Sequence, residues 1–226
     1  MTVDNRVQWD HYWGETGKVG RVYGWIASFY RRFVIAPGLR RNLSKHVSDS
    51  GRILHAGAGA GEIDLALRNK WGLVSIDFSS RAVRLNLLRG LAAGHRSRVV
   101  QADIFALPFA GGQFEVSFNL GVMEHFTDSQ VVHALREMRR VTSAQRYLII
   151  YWPPAWGPTV LALQTVSRIL RLVGRKSTQL HPPEINLFRS RSHCEAMLFE
   201  AGLRAVRFRY GPQDMFTHVV ITAQPM

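Results

Sequence analysis

A hydrophobic run that halts at a glycine-rich turn constrains this chain more than any other feature. Residues 53–63 read ILHAGAGAGEI. Ile53-Leu54-His55-Ala56 has the length and apolarity of a buried strand, and the residues after the glycines read as a helix over 61–69. Such a turn brings backbone N–H groups against a ligand, commonly a nucleotide. The alternation then continues. Residues 71–76 predict a second strand ending at Asp77. Ser79 or Ser80 can cap the next helix, whose Val83, Leu87 and Leu91 stand at helical spacing. Residues 98–101 predict a third strand, leading to Asp103, and 114–118 a fourth. The helix over 128–142 carries Val131, Leu135, Met138 and Thr142 on one stripe. Residues 146–151 predict a fifth strand.

Strands alternating with helices imply a parallel sheet covered on both faces, with ligands beyond the carboxyl ends of the strands. The end of the chain differs. A helix at 190–201 carries Cys194, Met197, Leu198 and Ala201 on its buried side, and Gly202 ends it. Residues 203–210 and 216–222 then read as two strands of an antiparallel hairpin. The expected fold is α/β: a Rossmann-like, doubly wound, mostly parallel seven-stranded sheet closed by a C-terminal antiparallel hairpin.

A chain of 226 residues suits one domain. Within it, 1–47 reads as an N-terminal lid and helical cap, with two helices broken near Pro37-Gly38. Residues 52–151 are the ligand-binding core, 152–189 a cap insert with a helix at 159–173, and 190–226 the terminal helix and hairpin. The single cysteine, Cys194, excludes an internal disulfide and fits a reducing, cytoplasmic setting. None of the nine histidines sits in an H-E-x-x-H frame, and no metal is expected. The start, MTVDNRVQWDHYWG, does not read as a signal peptide, and no apolar run approaches the ~20 residues of a membrane span. The formal charge of +13 favours anionic partners: nucleic acid, a phospholipid surface or a phosphorylated substrate.

Three nucleotide sites fit a strand, glycine turn and helix. A phosphate-binding loop needs G-x-x-x-x-G-K-[ST], and no Lys-Ser or Lys-Thr follows these glycines. A dinucleotide site needs G-x-G-x-x-G; Gly57, Gly59 and Gly61 are spaced otherwise, and Glu62 takes the third position, where a carboxylate repels a pyrophosphate. A ligand without phosphates suits the turn better. S-adenosylmethionine is one. Asp77, twenty residues beyond Gly57, ends the second strand, where a carboxylate can accept both ribose hydroxyls. Asp103, after strand three, can accept from the adenine amino group.

Taken together, ILHAGAGAG, VSIDFS and QADIFALPFAGGQFEVSFNLGVMEH resemble, in order and spacing, the motifs of the class I S-adenosylmethionine-dependent methyltransferases, in the group with the ubiquinone/menaquinone-type enzymes. The resemblance runs over about 52–151. It implies that Gly57, Gly59 and Gly61 let the backbone approach the ligand, that Asp77 holds the ribose and that Phe78 packs on the adenine. Asp103 and Ile104 would contact the adenine. Asn119 and Leu120 would lie beside the sulfonium, with Glu124 and His125 beyond them. Tyr12 and Trp13 would fold over the cofactor. The chain also departs from the family. The residue before the glycines is usually acidic and helps hold the ligand's ammonium; here it is His55, which accepts one hydrogen bond and supplies no negative charge. Either affinity is lower or Glu62 or Glu124 compensates. Ala58 stands where a cysteine is common. Residues 142–146, TSAQR, replace a proline–glycine–glycine turn.

Methyl transfer is an in-line displacement that mainly needs alignment, plus a base where the acceptor atom carries a proton. His125 is the first candidate base, with Glu124, Tyr151, His181 and Asp214 as others. Residues 22–35 and 159–176 mix large apolar residues with arginines, which suits a membrane surface or a lipid-linked acceptor. The acceptor class expected is a small molecule, a sugar or a lipid-linked compound. A nucleic-acid acceptor is the rival; FNLGVMEH stands after strand four where base-flipping relatives carry an Asn-Pro-Pro-Tyr-like tetrad. A non-catalytic binding protein on the same fold is the third reading.

Overall fold

The computed structural model of the protein describes residues 9–10, 12–13, 28–68, 70–95, 98–158, 160 and 184–226. Seven strands form one sheet: β1 (Arg52–Ala56), β2 (Gly72–Asp77), β3 (Arg98–Gln101), β4 (Phe114–Leu120), β5 (Thr142–Trp152), β6 (Leu203–Arg209) and β7 (Val219–Pro225). Their spatial order is β3-β2-β1-β4-β5-β7-β6. The first five pair in parallel, and β7 runs antiparallel to both β5 and β6. This is the expected doubly wound sheet with its terminal hairpin.

Alternation along each strand splits the apolar residues between two faces. Leu54, Val74, Ile76, Leu148 and Ile150 join one core. Helices α4 (Asp128–Val141) and α5 (Arg191–Glu200) bury Leu135, Met138, Met197 and Leu198 against it. Ile53, Leu73, Phe118 and Ile149 face the other way, toward Leu39 and Leu43 of α1 (Ala36–Leu43) and Leu67 of α2 (Asp64–Leu67). By the same alternation His55 and Ser75, which are register partners, fall on this second face. That placement decides what His55 can reach.

The structure corrects several sequence expectations. The helix expected over 61–69 forms only at Asp64–Leu67, because Gly57, Gly59 and Gly61 all take positive φ and delay the first helical turn. Helix α3 (Ser80–Ala92), capped by the Ser79 side chain on the Ala82 N–H, buries Ala82, Asn86 and Gly90 instead of a leucine stripe. Leu87 and Leu91 are exposed, Leu91 at 69%. Small residues let this helix sit close to the sheet, and Asn86 is drawn inward by the polar partners described below. Pro37 does not break its helix. A π-helical stretch, Arg31–Ile35, runs straight into α1, with the proline at its start. The wider turn suits a residue that has no N–H to give and a ring that crowds the preceding turn.

Strand five begins earlier than 146. Helix α4 passes directly into β5 at Thr142, whose hydroxyl donates to the Met138 carbonyl at 2.7 Å and meets Ser117 Oγ at 2.6 Å. TSAQR is thus the beginning of the strand and replaces a turn. Strand β7 begins later than 216, because Met215 and Phe216 take φ near +57° and +58° after the turn Pro212–Asp214. Cys194 is buried, and burial pushes its thiol up to about 12.

Candidate functional site

A cleft of about 910 Å³, counted to its open mouth, lies over the carboxyl ends of β1, β2 and β4. The glycine turn forms its floor. Gly59 (φ +52°) approaches the N-terminal arm so closely that a Cβ there would stand 2.7 Å from the Trp13 ring. At Gly61 (φ +71°) a Cβ would collide with the buried Asn86 side chain. The turn therefore needs glycine for its backbone conformation and for its contacts on both sides.

Asp77 ends β2 at the edge of the cleft. Its carboxylate accepts N–H bonds from Gly59 at 2.8 Å and Ser79 at 2.9 Å. Burial pushes its carboxyl above the ordinary range, against the pull of those two bonds. Phe78, Ala102 and Ile104 line an apolar slot beside it. Trp9, Tyr12 and Trp13 cover the cleft from the arm, edge to face with one another: Trp9 to Tyr12 at 5.6 Å and Tyr12 to Trp13 at 5.1 Å. Asp10 holds this arm down, accepting from the Ser79 hydroxyl, while Arg81 donates to the Asp10 carbonyl at 3.0 Å. On the β4 side Leu120, Val122 and His125 complete the wall.

Tyr12, Trp13, His55, Gly57, Gly59, Gly61, Asp77, Phe78, Ile104, Leu120 and His125 are thus brought together around one cleft. Asp103, Asn119 and Glu124 are not part of its lining. The Asp103 carboxylate turns back to the Phe105 N–H at 3.0 Å. Asn119 points into the core toward Met138. Glu124 is 4% exposed beside the cleft, with Oε1 3.9 Å from His125 Nε2. His181 lies outside the described residues. Asp214 is a buried residue of the turn before β7. Its Oδ2 accepts from the His218 N–H, and Tyr151 and His218 pack together nearby, 5.9 Å apart.

Neither Glu62 nor Glu124 supplies the acid that His55 displaces. Glu62 is held by Arg31 at 2.7 Å and Arg89 at 3.3 Å, so its charge is already matched. The same pairing weakens the argument that a bare Glu62 repels a pyrophosphate. Burial pushes the Glu124 carboxyl up to about 8, which leaves it largely neutral at pH 7. The acid is Asp64. Its carboxylate, fully buried, accepts from His55 Nδ1 at 2.6 Å, Ser75 Oγ at 2.6 Å and Asn86 Nδ2 at 3.0 Å, with Arg68 3.9 Å away. Burial alone would raise its pKa, but His55 and the hydroxyl and amide donors outweigh burial and hold it below the ordinary range. Sequence reading placed Asp64 on a helix without giving it a role. The available signal was a carboxylate inside the apolar run Ile63-Asp64-Leu65.

Glu124 gives a pH prediction. A carboxyl whose folded pKa lies above its unfolded value is protonated in the folded chain where the unfolded chain ionises. Stability therefore falls as pH rises from the ordinary glutamate range to about 8, then levels. Glu124→Gln removes this dependence. The variant is expected to gain on the order of a few kcal/mol over the parent at pH 8 and little at pH 5. Denaturant unfolding at both pH values checks it; an equal change at the two would contradict it.

The residues present fit an S-adenosylmethionine-type ligand. The glycine floor admits a close backbone contact, and Asp77 offers a carboxylate at the cleft edge that could accept from ribose hydroxyls. Phe78 and Ile104 offer an adenine slot, and His55 Nε2 is a buried polar atom with no hydrogen-bond partner among the described residues.

Comparisons with known proteins agree. A family model described as a methyltransferase domain matches residues 53–145. No curated protein sequence matches the chain. Among solved structures, a SAM-dependent methyltransferase from Methanosarcina mazei is similar at 17% identity and a TM-score of 0.64, over 81% of this chain and 96% of that one. Magnesium protoporphyrin IX methyltransferase from Synechocystis, solved with bound SAH, is similar at 17% identity and a TM-score of 0.64, over 99% of this chain and 95% of that one. A SAM-dependent methyltransferase from Aquifex aeolicus is similar at 18% identity and a TM-score of 0.60, over 83% and 89%. At such identities the structures speak for the fold, and the domain match speaks for the chemistry. Residues 53–145 thus match a methyltransferase domain, the chain has the fold of SAM-dependent methyltransferases, and both support S-adenosylmethionine as the cofactor.

Proposed function

We propose that this methyltransferase acts on a small-molecule or lipid-linked acceptor that enters the outer half of the cleft, with His125 taking the acceptor's proton. The observation that carries the reading is the cleft wall beyond the end of β4. There the Trp9 ring stands edge-on to the His125 imidazole at 4.9 Å, next to Val122 and Phe126. An apolar, aromatic wall holds an acceptor body, and the imidazole is the polar group set into it. The cofactor, when bound, supplies a methyl group on a sulfonium, which is already a good leaving group. The chain's task is then alignment: the glycine floor and Asp77 hold one reactant, and Trp9 and the β4 end hold the other. An imidazole near the acceptor can accept its proton at neutral pH.

His125→Ala is expected to lower kcat on the true acceptor by about 100-fold or more while leaving S-adenosylhomocysteine affinity nearly unchanged. Full turnover by the variant would remove His125 as the base.

A lipid-linked acceptor is supported by the π-helical segment. Phe29 and Phe33 are 53% and 57% exposed and pack together with ring centres 4.7 Å apart and planes tilted by 41°, with the Arg32 guanidinium over Phe33. Arg32, Arg40 and Arg41 share one shallow groove with Pro37 and Ser44. Aromatic rings beside arginines suit the boundary of an anionic membrane. Residues 22–27 and nearly all of 159–176, the other parts of the expected membrane-facing surface, lie outside the described residues. Among the described residues no helix is long and apolar enough to cross a membrane. The protein is expected to sediment with anionic vesicles at low salt and to be released at high salt. No vesicle binding at low salt would contradict this reading, and salt-dependent RNA retention in its place would favour a nucleic-acid acceptor.

A further inference from the structure

We propose that the turn before β7 is a membrane anchor: Met215 and Phe216, held outward on the same edge as Phe29 and Phe33, enter an anionic lipid surface. This deepens the lipid-linked acceptor reading and rests on it.

The turn is unfavourable in two ways that folding alone does not explain. Met215 (φ +57°) and Phe216 (φ +58°) are the only non-glycine residues with positive φ among the described residues. That region crowds a Cβ and persists only where surrounding contacts over-determine it. Such contacts are present. The Met215 and Phe216 N–H groups donate to the Pro212 and Gly211 carbonyls, each at 3.0 Å. The Tyr210 hydroxyl donates to the Phe216 carbonyl at 3.0 Å. The Tyr30 and Thr217 hydroxyls donate to the Asp214 carbonyl at 2.6 and 2.8 Å. The turn so fixed leaves Met215 59% and Phe216 43% exposed. A strained backbone that sets apolar side chains in water does not help the fold; a lipid surface removes those side chains from water.

Position joins this turn to the cleft. Val219, at the start of β7, is the register partner of Trp152, the last residue of β5. The turn therefore lies just beyond the carboxyl edge of the parallel strands, the edge that carries the cleft. Trp156 and Tyr210, both exposed, extend it, with Trp156 to Tyr210 at 6.5 Å and Tyr210 to Phe216 at 5.4 Å. Tyr30 ties the turn to the π-helical segment, on either side of whose start Phe29 and Phe33 are exposed. Tryptophan, tyrosine, phenylalanine and methionine side chains on one edge suit the headgroup boundary of a bilayer.

Charge favours lipid over a protein partner. On the same side as Phe33, the groove of α1 holds the guanidinium groups of Arg32, Arg40 and Arg41, and its lining has no carboxylate. Cations flanking apolar anchors match anionic headgroups. A bilayer on this edge covers the side of the sheet over which the cleft lies, so a lipid-linked acceptor has a short path to it.

Sedimentation with vesicles of phosphatidylglycerol and phosphatidylcholine at low salt tests this. Glycine suits the φ of both turn residues, so Met215→Gly/Phe216→Gly keeps the turn and removes the anchors. Phe199→Ser is the control: Phe199 is exposed just before β6, at the opposite edge of the sheet. A thermal scan shows that each variant is folded. Met215→Cys, labelled with an environment-sensitive dye, reports insertion, because Cys194 is buried and shielded from the reagent.

The double glycine variant is expected to weaken vesicle binding by about tenfold or more, and Phe199→Ser by less than about twofold. The dye at 215 is expected to shift to the blue when vesicles are added, while the same dye on Phe199→Cys stays unchanged. If the parent sediments and the glycine variant binds equally well, or the dye at 215 does not shift, the anchor is overturned and the lipid reading stands. A parent that does not sediment overturns both. A parent that is a dimer in solution and a monomer after the glycine substitutions, with vesicle binding unaltered, assigns the turn to a second copy and overturns the proposal.

Discussion

Asp77→Ala is expected to weaken binding of S-adenosylhomocysteine by about 100-fold or more, the loss of two hydrogen bonds to a buried carboxylate. The structure puts this carboxylate at the end of β2, 7% exposed, facing the glycine turn. Two ribose hydroxyls donating to one carboxylate make charge-assisted bonds, the strong kind. Asp77 also orders the turn by accepting the Gly59 N–H, so its removal loosens the floor as well as the ribose contact. Asp77→Asn separates the two effects. The amide oxygen can keep the Gly59 bond while the charge is lost, and an intermediate affinity is expected. Titration calorimetry on the three proteins checks the order. Equal affinity for the parent and the alanine variant would mean that the ribose does not lie at Asp77.

The second large effect concerns stability. Asp64→Ala is expected to cost about 3–5 kcal/mol, because it removes one side of a buried charged network and strands the other. His55 Nδ1, Ser75 Oγ, Asn86 Nδ2 and the Arg68 guanidinium would all lose their shared partner. The pH dependence has a definite sign. A carboxyl whose folded pKa is depressed stabilises the fold at every pH above its unfolded value. That stability is lost as pH falls through the folded value, here below the ordinary aspartate range. The part of the difference that comes from the Asp64 carboxylate should therefore persist from neutral pH down to mild acid and be lost in strong acid. Denaturant unfolding across that range measures it. A variant within about 1 kcal/mol of the parent would show that the network contributes little.

Much of the fold was legible because its signals are local. Strand–helix alternation, the glycine turn and the short terminal hairpin each follow from neighbouring residues, and the sheet order agrees with them. The errors came where a residue's role depends on a distant partner or on a backbone conformation that periodicity does not show. The buried face of α3 was misread because Asn86 is polar, yet Asp64 and Arg68 draw it inward and leave Leu87 and Leu91 outside. The helix after the glycines was read too long because Ile63 and Leu67 have helical spacing, while three positive-φ glycines delay its first turn. Pro37 was read as a break because periodicity does not show a π-helical stretch that feeds a proline at a helix start.

The site divides the same way. Asp77, Phe78, Ile104 and the glycines were legible from their spacing along successive strands. Trp9 and Arg31 line the same cleft, but only folding brings them there. The replacement of an acid by His55 was visible in the sequence, and the buried carboxylate that pairs with it was not. Asp64 is nine residues away and reaches the imidazole only because β1 and α2 share one face of the sheet. Glu62, the nearer acid, is matched by two arginines that no local pattern couples to it.

The central claim is that the cleft above β1, β2 and β4 is a site for S-adenosylmethionine. Calorimetric titration with S-adenosylmethionine and S-adenosylhomocysteine, with NAD as control, tests it most directly. Binding of both, one ligand per chain, with no heat from NAD, is the predicted result. A folded protein that binds neither, or binds NAD alone, would contradict the account.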